Sequence, residues 1–284
     1  MRANPQVPKS PPKKTKMTLN EAKRILEDAG IDTALRDARI IFEHVGGISR
    51  TELVLGGAVP DGSAACEAIT KRANREPLEY IIGKAQFYKE EYIVNKSCLI
   101  PRDDTETLVD FAVKAIPDGK SFVDLCTGSG CVALSVLKNT RDTSAVAVDI
   151  SPDALYVAKT NAKILGLSDR VDFVLGDALE NIYGKTPFAV LSNPPYVTEN
   201  EYESLSVECK NEPKIAFVGK DNGLEFYKKI TALYKNAIDK EGFIAFEIGY
   251  LQAAALRVIA EENQMNIKII KDLSDNDRVA VLTL

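Results

Sequence analysis

The spacing of apolar residues changes along the chain and divides it into distinct parts. Between about residues 17 and 84, apolar residues lie three and four positions apart, which is typical of amphipathic helices. The pattern Thr18-x-x-Glu21 is a capping box and marks the start of the first helix. Further helices are predicted at 33–45, 51–55, 63–74 and 78–82. We therefore expect a small all-helical domain over residues 17–84.

Residues 85–100 follow a different pattern. Within 86–94, aromatic and β-branched residues recur at alternate positions, which predicts a strand or a hairpin. We expect a β-hairpin linker over residues 85–100.

From residue 121 onward, short apolar runs alternate with amphipathic segments. Buried strands that alternate with helices indicate an α/β domain whose mostly parallel sheet is covered on both faces. Only residues 274–278 join the last two strands, so these strands form a hairpin and the final one runs antiparallel. We expect a seven-stranded sheet with a terminal β-hairpin in a domain spanning 101–284. The predicted strands are 121–125, 145–150, 171–175, 188–191, 243–248, 267–271 and 279–284, and the predicted helices are 131–139, 152–165, 224–238 and 251–262.

Composition and charge narrow the class of protein. The 284 residues are 45% hydrophobic and 27% charged, as in soluble globular enzymes, and no apolar run approaches the ~20 residues of a membrane span. The net charge is −5, but residues 1–16 carry +5 and four prolines, which leaves −10 on the remainder. We interpret 1–16 as a disordered basic tail, which is either native or an extension ahead of a native start at Met17. An acidic body argues against direct nucleic-acid binding.

Cysteine and histidine usage limits the chemistry. The five cysteines are scattered and form no C-x-x-C pair, so a reducing cytoplasm is expected and neither disulfides nor a zinc site. His44 is the sole histidine and lies in an amphipathic segment, where a structural role is expected. We predict no metal site and no histidine-based triad.

A glycine-containing loop follows the first strand of the predicted sheet. Asp124-Leu-Cys-Thr-Gly-Ser-Gly130 opens a helix, and its glycines let backbone N–H groups approach a ligand closely. The loop also satisfies a dinucleotide fingerprint, with Asp149 about where a ribose-binding acid should lie. These residues therefore indicate a nucleoside-type cofactor and separate a nicotinamide enzyme from a methyltransferase only weakly.

Three acidic residues favour the methyltransferase. A carboxylate at Asp124 would repel a pyrophosphate but attract the ammonium group of S-adenosylmethionine. Asp149 can accept hydrogen bonds from both ribose hydroxyls, and Asp177 from the adenine amino group. The alternative roles are a helix cap with Ser151 for Asp149 and a turn residue for Asp177.

Asn193-Pro194-Pro195-Tyr196 follows a buried strand. Two prolines end a central strand and stiffen the loop, although a plain Pro-Pro turn is the alternative. The Asn193 amide oxygen and the Pro194 carbonyl offer two acceptors to a planar NH2 group, and Tyr196 offers a ring. Strands one and four flank the switch point of such a sheet, so this loop and the glycine loop should face one crevice. We predict methyl transfer to nitrogen, with Asn193, Pro194 and Tyr196 catalytic.

Longer motifs carry a resemblance to a known family. Seven strands with a terminal hairpin resemble the Rossmann-like sheet of S-adenosylmethionine-dependent methyltransferases. Over residues 18–284 the chain resembles the protein-(glutamine-N5) methyltransferases that modify class I peptide chain release factors. The shared motifs, beyond the two loops, are Leu99-Ile-Pro-Arg-Asp-Asp-Thr-Glu106, Gly223-Leu224 with Tyr227, Phe246-Glu-Ile-Gly249 with Gln252, and Asp277-Arg-Val279. The chain departs from the family pattern at two positions. The family more often has proline where this chain has Asp104, and it often has glycine where this chain has Cys126.

The resemblance implies specific contacts. Arg102 and Thr105 would line the same cleft, with a salt bridge and a helix cap as their respective alternatives. Substrate contacts are implied at Asn193, Pro194, Pro195 and Tyr196. Cofactor contacts are implied at Cys126, Thr127, Gly128, Ser129, Gly130, Asp149, Ala178 and Asn193, to which the acids Asp124 and Asp177 are added.

The function expected from this resemblance is methylation of the glutamine N5 in the Gly-Gly-Gln motif of a class I release factor. S-adenosylmethionine would be consumed and S-adenosylhomocysteine released. The helical domain would recognise the protein substrate, and a cytoplasmic monomer is expected. An adenine-N6 DNA methyltransferase is the nearest rival, because adenine offers a similar NH2 group. A nicotinamide dehydrogenase and a catalytically silent cofactor-binding module are more distant alternatives.

Overall fold

A computed structural model describes residues 16–284. This part of the chain divides into two compact units, with the boundary between Ile82 and Gly83. The predicted disordered tail lies outside the described residues except for Lys16, which begins the first strand. Among residues 16–284, no helix combines the length and the apolar character needed to cross a bilayer.

The described residues up to Ile82 form five helices and two short strands. The strands pair antiparallel, with Met17 opposite Val59. The all-helical prediction missed this small sheet because strands of three residues are too short to show alternation. The helices are α1 (Leu19–Asp28), α2 (Ala34–His44), α3 (Arg50–Val54), α4 (Ala64–Ala73) and α5 (Leu78–Ile82), and the strands are β1 (Lys16–Thr18) and β2 (Ala58–Pro60).

Local hydrogen bonds account for the ends of these helices. The predicted capping box is present: Glu21 N–H donates to Thr18 Oγ1 at 3.3 Å, and Thr18 N–H donates to the Glu21 carboxylate at 2.9 Å. His44 Nδ1 lies 3.1 Å from the carbonyl oxygen one turn earlier in α2, which is a structural contact. Between α2 and α4, buried Asp37 pairs with Arg72 at 2.9 Å and fixes the two helices together.

The predicted hairpin consists of β3 (Lys84–Phe87) and β4 (Glu90–Ile93), paired antiparallel. Both strands belong to the second unit. Tyr92 is fully buried, and its hydroxyl lies 2.7 Å from Ser135 Oγ.

The central sheet has the predicted seven strands. The strand order is β10-β11-β9-β8-β5-β6-β7; β11 runs antiparallel to its neighbours β10 and β9, and the five strands from β9 to β7 are parallel to one another. The terminal hairpin and the switch point between β5 and β8 were both predicted from sequence. The strands are β5 (Ser121–Leu125), β6 (Ser144–Asp149), β7 (Val171–Leu175), β8 (Ala189–Ser192), β9 (Phe243–Glu247), β10 (Asn266–Lys271) and β11 (Asp277–Thr283).

Helices cover both faces of this sheet and enclose two hydrophobic cores. Phe122 belongs to one core and Val123 to the other, because successive side chains of a strand point to opposite faces. The sequence analysis did not predict α6 or the short helices α9 to α11. The helices are α6 (Glu106–Ala115), α7 (Cys131–Asn139), α8 (Pro152–Ile164), α9 (Glu199–Glu203), α10 (Val207–Lys210), α11 (Lys220–Gly223), α12 (Glu225–Tyr234) and α13 (Ala253–Glu262), with 3-10 turns at Asp103–Thr105, Ser168–Arg170 and Lys214–Ala216.

One buried amide connects the hairpin to the rest of the second unit. Asn161 on α8 accepts from the Ile93 N–H at 2.7 Å and donates to the Ile93 carbonyl oxygen at 3.0 Å. Its Nδ2 also donates to the Ser129 carbonyl oxygen at 2.9 Å. The side chain thus satisfies backbone groups of two separate segments.

Replacing Asn161 with alanine would leave these buried backbone groups without partners. We expect Asn161→Ala to lower the free energy of unfolding by about 2–4 kcal/mol, measured by urea denaturation. Asn139→Ala is the matched control, because Asn139 is exposed and makes one hydrogen bond, 2.8 Å to the Ser135 carbonyl oxygen. Its effect should stay within about 0.5 kcal/mol. Equal losses in the two variants would contradict the bridging role.

Candidate active site

The register of the sheet brings the two predicted loops together. β5 and β8 are parallel neighbours, and Leu125 lies opposite Ser192. Cys126 and Asn193 therefore leave the sheet side by side, at the carboxyl ends where ligands bind in open α/β sheets. The Ser192 hydroxyl donates to the Leu125 carbonyl oxygen at 2.8 Å and links the two strands at this point.

A cavity of about 270 Å³ lies at this edge of the sheet. Loops that follow β5, β6, β7 and β8 form its wall, together with segments 97–105 and 213–226. Most of the predicted site residues line this cavity. Both predicted loops therefore border the same crevice. The predicted residues in the lining are Arg102, Thr105, Asp124, Cys126, Thr127, Gly128, Ser129, Asp149, Asp177, Ala178, Asn193 and Pro195.

Three predicted site residues lie outside this lining: Gly130, Pro194 and Tyr196. Gly130 has a φ of +81° where the loop enters α7, and a Cβ there would come within 3.1 Å of Ala158 Cβ. Its absent side chain therefore allows α7 and α8 to pack closely. Pro194 is buried within the loop that it stiffens.

Asp124 is enclosed beneath the glycine loop. It is 1% exposed, and its Oδ2 accepts hydrogen bonds from Thr127 Oγ1 at 2.5 Å and from the Ala133 N–H at 3.2 Å. Burial raises the pKa of Asp124 to about 7. A cation beside this carboxyl would stabilise its ionised form, as the sequence analysis expected of an ammonium group.

Asp149 holds the ends of two loops. Its carboxylate accepts from the Gly128 N–H at 2.8 Å and from the Ser151 N–H at 2.9 Å. Burial raises its pKa, and these two hydrogen bonds oppose the rise. Asp177 accepts from the Leu179 N–H at 2.8 Å, so it too stabilises a turn while lining the cavity. Asp149 and Asp177 thus make the structural contacts that were considered as alternatives. Both residues also line the cavity.

The Tyr196 side chain is fixed away from the cavity. Its hydroxyl donates to Glu247 Oε1 at 3.0 Å, and its carbonyl oxygen accepts from Gln252 Nε2 at 3.1 Å. Burial raises the pKa of Tyr196, and the adjacent Glu247 carboxyl raises it further. The Tyr196 ring is partly buried against one of the two cores of the second unit, and its contact with a substrate stays a prediction.

Arg102 and Thr105 have different roles. Arg102 forms an ion pair with Glu212, which is the alternative considered from sequence. Glu212 is 5% exposed and also accepts from the Ile100 N–H at 3.0 Å. Thr105 makes no helix-capping hydrogen bond through its side chain, which excludes its alternative, and instead accepts from Asn193 Nδ2 at 3.1 Å.

The position of the segment that follows Tyr196 was not predicted from sequence. Val197 pairs with Val218, and the Gly219 N–H donates to the Val197 carbonyl oxygen at 3.0 Å, so this segment returns to the cavity wall. Its short helices lack the periodicity that would reveal them. Glu247 also received no role, although a carboxylate that ends the apolar strand Phe243–Glu247 was a readable signal.

The described residues include no cluster of three or more His, Cys, Asp and Glu side chains suited to a metal ion. None of the five cysteines, each in the described part of the chain, forms a disulfide.

Comparisons with known proteins find family matches for both units of this chain. Residues 18–83 match the family model "PrmC N-terminal domain", and residues 103–208 match "Methyltransferase small domain". A release factor glutamine methyltransferase of Clostridium acetobutylicum is 36% identical over 278 residues, which cover 94% of this chain and 98% of that protein. The protein of the same name from Caulobacter vibrioides is 35% identical, covering 92% and 93%. That from Enterococcus faecalis is 39% identical, covering 72% and 75%.

Substitutions at Cys126 can test how rigid the cavity loop is. Cys126 has a φ of +61°, a left-handed conformation that glycine adopts without strain. We expect Cys126→Gly to keep the native fold and Cys126→Val to be less stable than Cys126→Gly by about 1–2 kcal/mol. Thermal unfolding of the two variants provides the measurement. A valine variant as stable as the glycine variant would show that the loop relaxes freely.

Proposed function

The chain belongs to the family of release factor glutamine methyltransferases, and on this premise we propose that it methylates the side-chain amide nitrogen (N5) of a glutamine. The glutamine is that of the Gly-Gly-Gln motif in class I peptide chain release factors, and the methyl donor is S-adenosylmethionine. The observation that carries the proposal is the single cavity shared by Asn193 and the loop after β5. An amide substrate and a methyl donor would meet there.

The cavity residues suit S-adenosylmethionine. Asp124 lies buried at the wall with a raised pKa, so a nearby ammonium group would lower the cost of its ionisation. The buried Ser129 hydroxyl lines the cavity and has no hydrogen-bond partner among the described residues, which leaves it available to a ligand. S-adenosylmethionine, when bound, would supply an electrophilic methyl group and leave as S-adenosylhomocysteine.

The Asn193 loop would activate the amide nitrogen. Asn193 uses Nδ2 to bond Thr105, so its Oδ1 remains as an acceptor for the substrate N–H. The Pro194 carbonyl is the second acceptor proposed. Hydrogen bonds from the substrate to these oxygens raise electron density on nitrogen and fix its position for attack. No base is needed before transfer, because the extra proton leaves after the N–C bond has formed.

The proposed partner is a protein and not DNA. An adenine NH2 group would fit the same acceptors, but the −10 charge of residues 17–284 opposes the approach of a phosphate backbone. The first unit, which matches the N-terminal domain model, is proposed to recognise the release factor. We further propose a monomer acting in the cytoplasm, where release factors function.

The reaction can be tested with radiolabelled S-adenosylmethionine. We expect label on the Gly-Gly-Gln peptide of a class I release factor and none on duplex DNA. A release factor with that glutamine replaced by alanine is the control and should stay unlabelled. Labelled adenine without labelled glutamine would reverse the assignment.

Asp149 offers a second test, which concerns the donor alone. We expect Asp149→Asn to weaken S-adenosylmethionine binding roughly tenfold to a hundredfold, since a charge-assisted contact and the Gly128 bond are both weakened. Titration calorimetry measures the affinity without any methyl acceptor. Asp153→Asn is the control, because Asp153 is exposed in the first turn of the adjacent helix. Unchanged affinity in Asp149→Asn would remove this carboxylate from the donor site.

A further inference from the structure

Asn193 has an amide that can face the cavity in two ways. A side-chain amide carries an acceptor oxygen and a donor NH2 on nearly the same outline. Only the oxygen can accept from a substrate N–H, so a turned amide would oppose two donors to each other. Some neighbour must therefore select one orientation.

Thr105 is the neighbour that contacts this amide. Thr105 Oγ1 accepts from Asn193 Nδ2 at 3.1 Å, and Thr105 is 2% exposed. It ends the 3-10 turn Asp103–Thr105, just before α6, and makes no capping bond of its own. The hydroxyl is thus left for contacts within the site.

The buried Glu247 carboxyl is a second polar neighbour of the Thr105 hydroxyl. The Glu247 carboxyl is 2% exposed and already accepts from the Tyr196 hydroxyl. The Thr105 hydroxyl also interacts with this carboxyl, and the interaction opposes the rise in the Glu247 pKa that burial causes. Because the Thr105 hydroxyl accepts from Asn193 Nδ2 through a lone pair, its own hydrogen is available to an acceptor other than Asn193.

The supporting turn is itself held in place. Asp104, in the same 3-10 turn, pairs with Arg278 at 3.0 Å, and Arg278 also pairs with buried Asp272 at 3.1 Å. Arg278 is 8% exposed, whereas the Asp104 side chain is about half exposed, so only the arginine side of this ion pair is removed from water. Thr105 therefore sits on a turn tied to the terminal hairpin.

We propose that Thr105 is a positioning residue: its hydroxyl accepts from Asn193 Nδ2 and thereby holds the amide turned so that Oδ1 is presented to the methyl acceptor. The proposal rests on the proposed function, because it assumes that an NH2 group is the acceptor. It concerns the orientation of Asn193 and not the identity of the molecule that carries the NH2 group.

The test combines three substitutions in the full chain. Thr105→Val keeps the shape but removes the hydroxyl, and we expect kcat to fall about 3- to 10-fold, the scale of one hydrogen bond. Thr105→Ser restores the hydroxyl and should return kcat to within about twofold of wild type. Asn193→Ala should lower kcat roughly 10²- to 10³-fold. Adding Thr105→Val to Asn193→Ala should cause no further loss, because no amide remains to be oriented.

Thr231→Val is the matched control. Thr231 is fully buried on α12, its hydroxyl has no hydrogen-bond partner among the described residues, and it lies outside the cavity lining. We expect wild-type kcat in this variant. A loss equal to that of Thr105→Val would assign both effects to packing and overturn the proposal, as would full additivity with Asn193→Ala or failure of serine to rescue.

A readout without activity separates this inference from the proposed function. A crystal structure of Thr105→Val should show the Asn193 amide turned or in two positions, and an Asn193 amide bonded as in the wild type would refute the inference. All rates are compared on the substrate that the wild-type protein methylates. An inactive wild type with a release factor would therefore count against the proposed function, whereas the Thr105 ratios and the crystal structure judge the positioning role.

Discussion

The pairing of β5 with β8 is the constraint on which the site depends. Parallel strands in register end at the same level, so Leu125 opposite Ser192 decides that Cys126 and Asn193 emerge together. A shift by one residue would exchange the two faces of a strand and bury the wrong side chains. Because both strands are covered on either face by a hydrophobic core, that shift is strongly opposed. The same burial that stabilises the fold thus sets the geometry of the chemistry.

Buried carboxyl groups give the site its electrostatic character. Asp124 and Asp149 line the cavity, and buried Glu247 accepts from the Tyr196 hydroxyl. In each, burial raises the pKa, because a charged form loses hydration when it leaves water. Local N–H and O–H donors offset part of that cost. Acidic groups arranged in this way favour a cationic ligand. Their oxygens can also accept hydrogen bonds from neutral amide groups.

Much of the fold could be predicted because most strands of the central sheet are apolar and are separated by clear helices. The sheet, its terminal hairpin and the gathering of both loops into one cavity all followed from periodicity, turn residues and the switch-point rule. Short elements such as β1 and α9 escaped, since a few residues show no period. Side-chain partners were harder still: that Arg102 meets Glu212 and Thr105 meets Asn193 depends on contacts across about a hundred residues. The bond between the Tyr196 hydroxyl and Glu247 was not predicted for the same reason.

Asn161 has a mechanical consequence for the second unit. A single carboxamide is bound to Ile93 on the hairpin and to Ser129 beside the cavity, with all three contacts at 3.0 Å or less. Neither segment can slide along α8 without stretching a bond to the other. Thermal excursions of β4 and of the loop after β5 are therefore correlated, and the stiffness of one limits the amplitude of the other.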